Sequence, residues 1–296
     1  MSAAIAAGAR ACSKPNLAAA QAIGRAAVLA LYDELALSPK PGLVTLIDRG
    51  SHTDMDARTF MRSLLALRGY FADIACLGLQ AAPFEALQRC GMAAERRMLA
   101  ATGGVNTHRG AVFMLGLLCA AAGAVTAARR PLNPASLRDM LLARWGGELR
   151  ERATRPPTLP GGVAARRYGL RSASCEAAAG FPVLFETAVP RLAAAHAAGR
   201  PRQHVLLDTL FHIIAVLQDS NLAHRGGIEG LQYAQVAAQA FLARGGAAGP
   251  DGLAAAQAVA RQFVLRNLSP GGAADTLAAA CWMQRLSVVD SPVGAS

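Results

Sequence analysis

The sequence predicts an all-α fold, a single multi-helix domain with its site formed by loops at helix ends. Three observations carry this. Alanine supplies 67 of the 296 residues, and Ala, Leu and Arg all favour helix. Aromatic residues make up only 5%, and Val and Ile are sparse, so the residues that strands prefer are thin. Apolar positions recur at three- and four-residue spacing, and no alternating stretch stands out. A hydrophobic content of 53% excludes disorder, and the chain is long enough to bury a core without disulfide staples.

The elements follow in order. An N-terminal tail over residues 1–15 precedes a helix from Asn16 to Leu37, where Leu17, Ile23, Val28, Leu31 and Leu35 recur near helical spacing. Ser38-Pro39-Lys40-Pro41-Gly42 stops it, because proline disfavours helical geometry in the preceding residue. Asp54 or Asp56 caps a helix reaching Gln80, and Pro83 opens another to Ala101. Gly110 to Ala128 carries no charge over 19 residues and reads as a buried central helix rather than a membrane span. A helix runs from Asn133 to Arg152, and residues 155–162 (RPPTLPGG) read as a linker or flap. Helices then follow over Glu176–Ala198, Arg202–Leu217, Ile228–Leu242, Gly252–Asn267 and Ala273–Leu286, with a tail after residue 290.

The net charge is +11, and Lys14 and Lys40 are the only lysines, so 28 of the 30 basic residues are arginine. A field of that sign concentrates anions such as nucleic acid, acidic lipid or polyphosphate metabolites. Ten arginines against three acids (Asp139, Glu148, Glu151) lie between Arg129 and Arg171, a solvated basic loop or an anion-binding flap. The six cysteines form no C-x-x-C pair and read as reduced thiols, consistent with a cytoplasmic protein. His204 and His212 flank Asp208 on one helix face and read as a hydrogen-bonded surface trio.

Four segments break the Ala/Leu monotony, each at a turn beside a helix end: Leu37–Val44 with Gly50–Met55, Gly104–Gly110, Asp219–Gly227, and Asn267–Asp275. Ser269-Pro270-Gly271-Gly272 opens a helix, where exposed N–H groups and missing side chains let a phosphate approach the backbone. Asp275 in that first turn either favours the helix dipole or holds a magnesium ion between phosphates. Arg225-Gly226-Gly227 opens another helix and adds a guanidinium. Neither is a Walker A loop, since neither lysine follows glycine, and no dinucleotide fingerprint stands out.

Read together, SPKPGLV, GSHTDM, GVNTHRG, DSNLAHRGG and NLSPGGAAD, in this order, resemble the triphosphoribosyl-dephospho-CoA synthase family over about Leu31 to Leu286. The stretch Gly50–Phe71 is more similar to the malonate decarboxylase branch; Thr45-Leu46 stands where the citrate-lyase type carries Asp-Arg. The resemblance implies an all-α enzyme that joins ATP to 3′-dephospho-CoA with loss of adenine. Its product passes to a prosthetic-group transferase and an acyl carrier protein, with no nucleic acid or membrane partner. The 2′-hydroxyl of dephospho-CoA attacks the ribose C1 of ATP through an oxocarbenium-like transition state.

On that resemblance, His52, His108 and Asp219 are the candidate proton carriers. Lys40, Gly42, Asn106, Arg109, Asn221, Arg225, Gly226, Gly227, Ser269, Gly271 and Gly272 are the candidates for binding ATP and its phosphates. Asp54, Asp219 and Asp275 are the candidates for Mg2+. Glu95 and Glu176 match family acids but read equally as helix-surface ion pairs, and His224 is not common to all members. Rival readings are the same reaction serving citrate lyase, a basic nucleic-acid-binding protein short of aromatic platforms, and a ribosyl hydrolase in which water replaces the CoA hydroxyl.

Overall fold

The computed structural model describes residues 14–289, and no strand occurs among them. The expected tails lie outside the described residues, apart from Lys14 and Pro15, which open the first helix. In chain order the helices are α1 (Lys14–Ala36), α2 (Ala57–Leu67), α3 (Tyr70–Leu79), α4 (Phe84–Thr102), α5 (Arg109–Ala127), α6 (Pro134–Thr154) and α7 (Pro160–Arg167). Then come α8 (Ala173–Ala178), a π-helical turn (Val183–Ala188) running into α9 (Val189–Ala197), α10 (Arg202–Val216), α11 (Ser220–Ala243), α12 (Gly252–Leu265) and α13 (Gly271–Val289).

The apolar helix α5 is the centre of the domain. It is long and apolar enough to cross a membrane, yet most of it is buried, with α1, α3, α4, α6 and α13 packed around it. Small residues permit this. A Cβ at Gly78 would overlap the backbone of Ala120, and one at Gly123 would overlap that of Ala75, so α3 and α5 cross almost backbone to backbone. Gly24 gives α1 the same approach to Ala72. Tyr70 donates to the Val112 carbonyl (2.8 Å) and Trp282 to the Ile23 carbonyl (3.2 Å), satisfying the polar atoms of two large core side chains.

Several boundaries differ from those read in the sequence. Asp56, not Asp54, caps α2, accepting from the Thr59 amide (2.9 Å). The helix expected to reach Gln80 is broken at Arg68-Gly69, which turns α3 onto α1 and α5. The helix expected over 176–198 is interrupted because Gly180 (φ 71°) and Phe181 (φ 50°) take left-handed backbone. Residues 155–162 are only partly a linker, since Pro160 opens α7. The helix expected from Ile228 starts eight residues earlier, capped by Asp219, and is broken at Gly227 (φ 66°, ψ −168°).

Cys90, Cys119, Cys175 and Cys281 are free thiols. Cys76, half-buried on α3, is disulfide-bonded, which corrects the expectation for that residue. Asp208 does not join a surface trio with His204 and His212. It is buried, pairs with Arg200 (2.5 Å) and accepts from the Ala247 amide (2.7 Å).

Candidate active site

Motif turns up to 217 residues apart meet in the fold. Gly42 (φ 64°) lies so close to the Leu268 carbonyl that a Cβ would overlap it. The Ser51 hydroxyl donates to that same carbonyl (2.6 Å). Arg225 ties the third partner in: its Nε donates to the Asn267 carbonyl (2.7 Å), and Nη2 donates to Asn267 Oδ1 (2.5 Å) and to the Ser51 carbonyl. His52 Nε2 is 2.9 Å from Ser269 Oγ, and His52 Nδ1 is 3.7 Å from Asp54 Oδ1. Beside this junction opens a cleft of about 490 Å³, lined by Asn221, His224, Arg225, Asn267 and Ser269.

Beneath the cleft lies a buried layer of charged and polar groups. Asp219, 2% exposed, accepts from the Asn221 amide (2.8 Å) and the Ala273 amide (3.0 Å), so one carboxylate joins the starts of α11 and α13. Glycines make room: a Cβ at Gly272 would stand 3.1 Å from Asp219 Oδ2, one at Gly271 2.9 Å from Asn221 Nδ2, and one at Gly110 would overlap Asp275. Lys40, its side chain 0% exposed, donates to Glu34 Oε1 (2.5 Å) and to the Glu34 carbonyl (2.7 Å). His108 Nδ1 is 2.6 Å from Ser63 Oγ, and Phe60 meets the ring edge-on at 4.9 Å. His108 Nε2 and Thr107 Oγ1 are buried without a partner.

Burial sets the electrostatics of this layer. It pushes the His108 pKa down to about 4, helped by the nearby Lys40 charge, so the ring is neutral at pH 7. Burial also lowers Lys40, opposed by Glu34. Asp275 is raised well above the usual carboxylate range by burial and then by the charges of Glu34 and Asp219. Asp219 is raised by burial, against the pull of its backbone amide donors. His52 is lowered by burial and by Arg225, and Asp54 opposes the shift.

Several of the candidates have their polar groups engaged within the fold. The Lys40 ammonium is enclosed and does not face the cleft. Arg109 pairs with Glu95 (2.5 Å), and Arg171 pairs with Glu176, so both glutamates are ion-pair partners. Asn106 Oδ1 accepts from the Arg109 amide (3.1 Å), the first of α5. Gly226 faces the Leu268 side chain, where a Cβ would stand 2.5 Å from Cδ2. Asp54, Asp219 and Asp275 do not form one ligand set: no group of three or more His, Cys, Asp or Glu among the described residues is arranged to hold a metal ion. Asp54 is exposed beside His52, while Asp219 is bound to backbone amides.

Glu34 and Ser63 lie outside the segments singled out in the sequence, while Thr107 and Asn267 lie within them without an assigned role. Glu34 had a readable signal, since it stands at helical spacing from the buried Ala27 and Leu31, a charge on an apolar stripe. Asn267 takes left-handed backbone (φ 55°), which asparagine tolerates better than most residues. His224, given little weight in the sequence, lines the cleft.

The chain is similar over residues 20–292 to the family described as CitG: ATP:dephospho-CoA triphosphoribosyl transferase. A relative from Azotobacter vinelandii, named probable 2-(5''-triphosphoribosyl)-3'-dephosphocoenzyme-A synthase, is 40% identical over 286 residues, 95% of this chain and 97% of its own length. One of the same name from Acinetobacter calcoaceticus is 37% identical over 257 residues, covering 87% and 88% of the two chains. A 2-(5''-triphosphoribosyl)-3'-dephosphocoenzyme-A synthase from Escherichia fergusonii is 38% identical over 280 residues, covering 90% and 91%. No solved structure matches. Similarity along nearly the whole length, with motif residues lining one cleft, leads to one conclusion: the chain belongs to the ATP:dephospho-CoA triphosphoribosyl transferase family.

Proposed function

We propose that this protein transfers the triphosphoribosyl group of ATP to the 2′-hydroxyl of 3′-dephospho-CoA and releases adenine. The bond from ribose C1 to the adenine nitrogen breaks, and its electrons leave with adenine. The hydroxyl oxygen forms the new bond to C1, and its proton passes to a base. No phosphoryl group moves, so an enclosed Lys40 is no obstacle. The observation that carries the reading is the junction at the cleft, where Ser51, Arg225, Asn267 and Leu268 from three of the motifs are bonded to one another.

The geometry favours His52 as the base, because Ser269 contacts its Nε2 and the Asp54 carboxylate stands 3.7 Å from its Nδ1 beside the cleft. His108 is enclosed and neutral; its unpartnered Nε2, with Thr107 Oγ1, suits a hydrogen bond to a neutral heterocycle or a ribose hydroxyl. Arg225, Asn221, Asn267 and Ser269 offer the cleft polar groups for phosphate and ribose oxygens. Asp219 acts as a clamp rather than a base. Asp54 is the carboxylate whose exposure fits a magnesium ion delivered with ATP, since magnesium keeps several waters and needs only one or two carboxylates beside the phosphates. Such an ion would neutralise phosphate charge.

The finer reading is that the product serves malonate decarboxylase, on the similarity of residues 50–71 to that branch. The prosthetic-group transferase and acyl carrier protein are then the downstream partners, and the work is cytoplasmic. Purified protein with ATP, magnesium and dephospho-CoA is expected to release free adenine and form one species with the mass of both nucleotides less adenine. Adenine released without dephospho-CoA would instead identify a ribosyl hydrolase. No adenine under either condition would end the reading.

A further inference from the structure

The ten arginines between Arg129 and Arg171 are not equivalent once folded. Arg130 pairs with Asp139, Arg138 with Glu186, Arg155 with Glu151 and Arg171 with Glu176, while Arg152 lies over the Phe113 ring. Among those left without an ion-pair partner in the described residues, only Arg166 and Arg167 sit on α7. Both are exposed.

Helix α7 packs against α11, whose first half carries the cleft residues Asn221, His224 and Arg225. Gly161, Ala164, Ala165 and Tyr168 fall at i, i+3, i+4 and i+7, one face of a helical turn and its cap. Ala164 and Ala165 are buried. At one end, a Cβ on Gly161 would stand 3.0 Å from Ser220 Oγ and 3.8 Å from Oδ1 of the cleft residue Asn221. At the other, a Cβ on Gly227, two residues beyond the cleft residue Arg225, would stand 3.4 Å from the Tyr168 hydroxyl. The helix therefore runs beside the first half of α11, next to the cleft residue Asn221. Arg171 secures its far side, donating its amide to Gln218 Oε1 (2.7 Å).

Tyr168 stands at the point where α11 breaks, and Arg167 lies over its ring at 5.3 Å. The stacking orients a planar guanidinium whose donors stay uncommitted, and the phenol adds a hydroxyl donor. We propose that the Arg167–Tyr168 pair is a phosphate-chain subsite, holding the anionic tail of one of the two nucleotides against the Gly227 break. This rests on the transferase reading for the identity of its nucleotides, though not for the binding itself. The shared chemistry is an oligophosphate, which either ATP or dephospho-CoA supplies.

Calorimetric titration of the full chain with ATP, and separately with dephospho-CoA, tests it. Arg167→Gln is expected to weaken one of the two nucleotides about tenfold, the effect of losing a charge-assisted contact. Tyr168→Phe should weaken the same nucleotide by about threefold, as for a neutral hydrogen bond. Arg144→Gln, an exposed and unpaired arginine on α6, controls for bulk charge and should change neither by as much as about twofold. The nucleotide that weakens names the source of the phosphate chain. If Arg167→Gln and Tyr168→Phe leave both affinities at the wild-type level, or if Arg144→Gln weakens binding equally, the subsite is refuted. Weakened binding in variants of a protein that releases no adenine would refute the transferase reading and leave the subsite standing.

Discussion

Asp219 shows how differently one residue reads in the chain and in the fold. In the sequence it opens a motif rich in Asn, His and Arg and suits a base or a metal ligand. Folded, its oxygens accept from amides on α11 and α13, with almost no exposure. Asp219→Asn puts an amide donor against one of those N–H groups. It should cost about 1–3 kcal/mol of stability, the penalty of a buried unpaired donor, read as a lower denaturant midpoint. A clamp changes activity through folding and placement, so the pH profile of kcat should keep its shape in this variant; a displaced acid limb would restore Asp219 as the base. Lys40 makes the same point about cations. Its motif is legible in the sequence, but the ammonium is closed off by Glu34, a residue of the preceding helix.

The helices were legible where capping and apolar spacing agree. Asp56 and Asn133 cap α2 and α6 by accepting from the amides of Thr59 and Ser136, an interaction reaching three residues along the chain. Breaks were harder to see. The first half of α11 reads as a loop because its residues are polar, yet it is helix up to Gly227, where φ 66° and ψ −168° suit only glycine. Gly227→Ala is expected to destabilise the protein by about 1–3 kcal/mol. Gly147→Ala, in the interior of α6 with open space around it, should stabilise by about 0.5–1 kcal/mol. Thermal unfolding of the two variants checks the contrast; equal shifts would mean the Gly227 backbone is not under that constraint.

For the molecule as a whole, the buried layer beneath the cleft makes stability depend on pH. His108 has a folded pKa of about 4 against 6.5 when free. Between those values the unfolded chain binds more protons than the folded one, so acidification removes stability, by roughly 3 kcal/mol across the window. Asp219 and Asp275 are raised and act in the opposite sense, holding protons more tightly when folded. His108→Gln isolates the histidine. Its stability should fall less between pH 6.5 and 4 than that of wild type, by roughly 3 kcal/mol. Parallel curves for the two proteins would contradict the burial of a neutral ring.

The all-α class, most helix ends and the segments that form the cleft were present in residue order, because propensity, capping and turn chemistry act over a few neighbouring positions. The condition of each charged group was not. Whether an arginine is free, as Arg167 is, or tied, as Arg225 is, depends on partners such as Ser51, 174 positions away. Burial shifts the charge of His108, Lys40 and Asp275 through neighbours that only packing assembles, so their chemistry belongs to the fold and not to the motif that carries them.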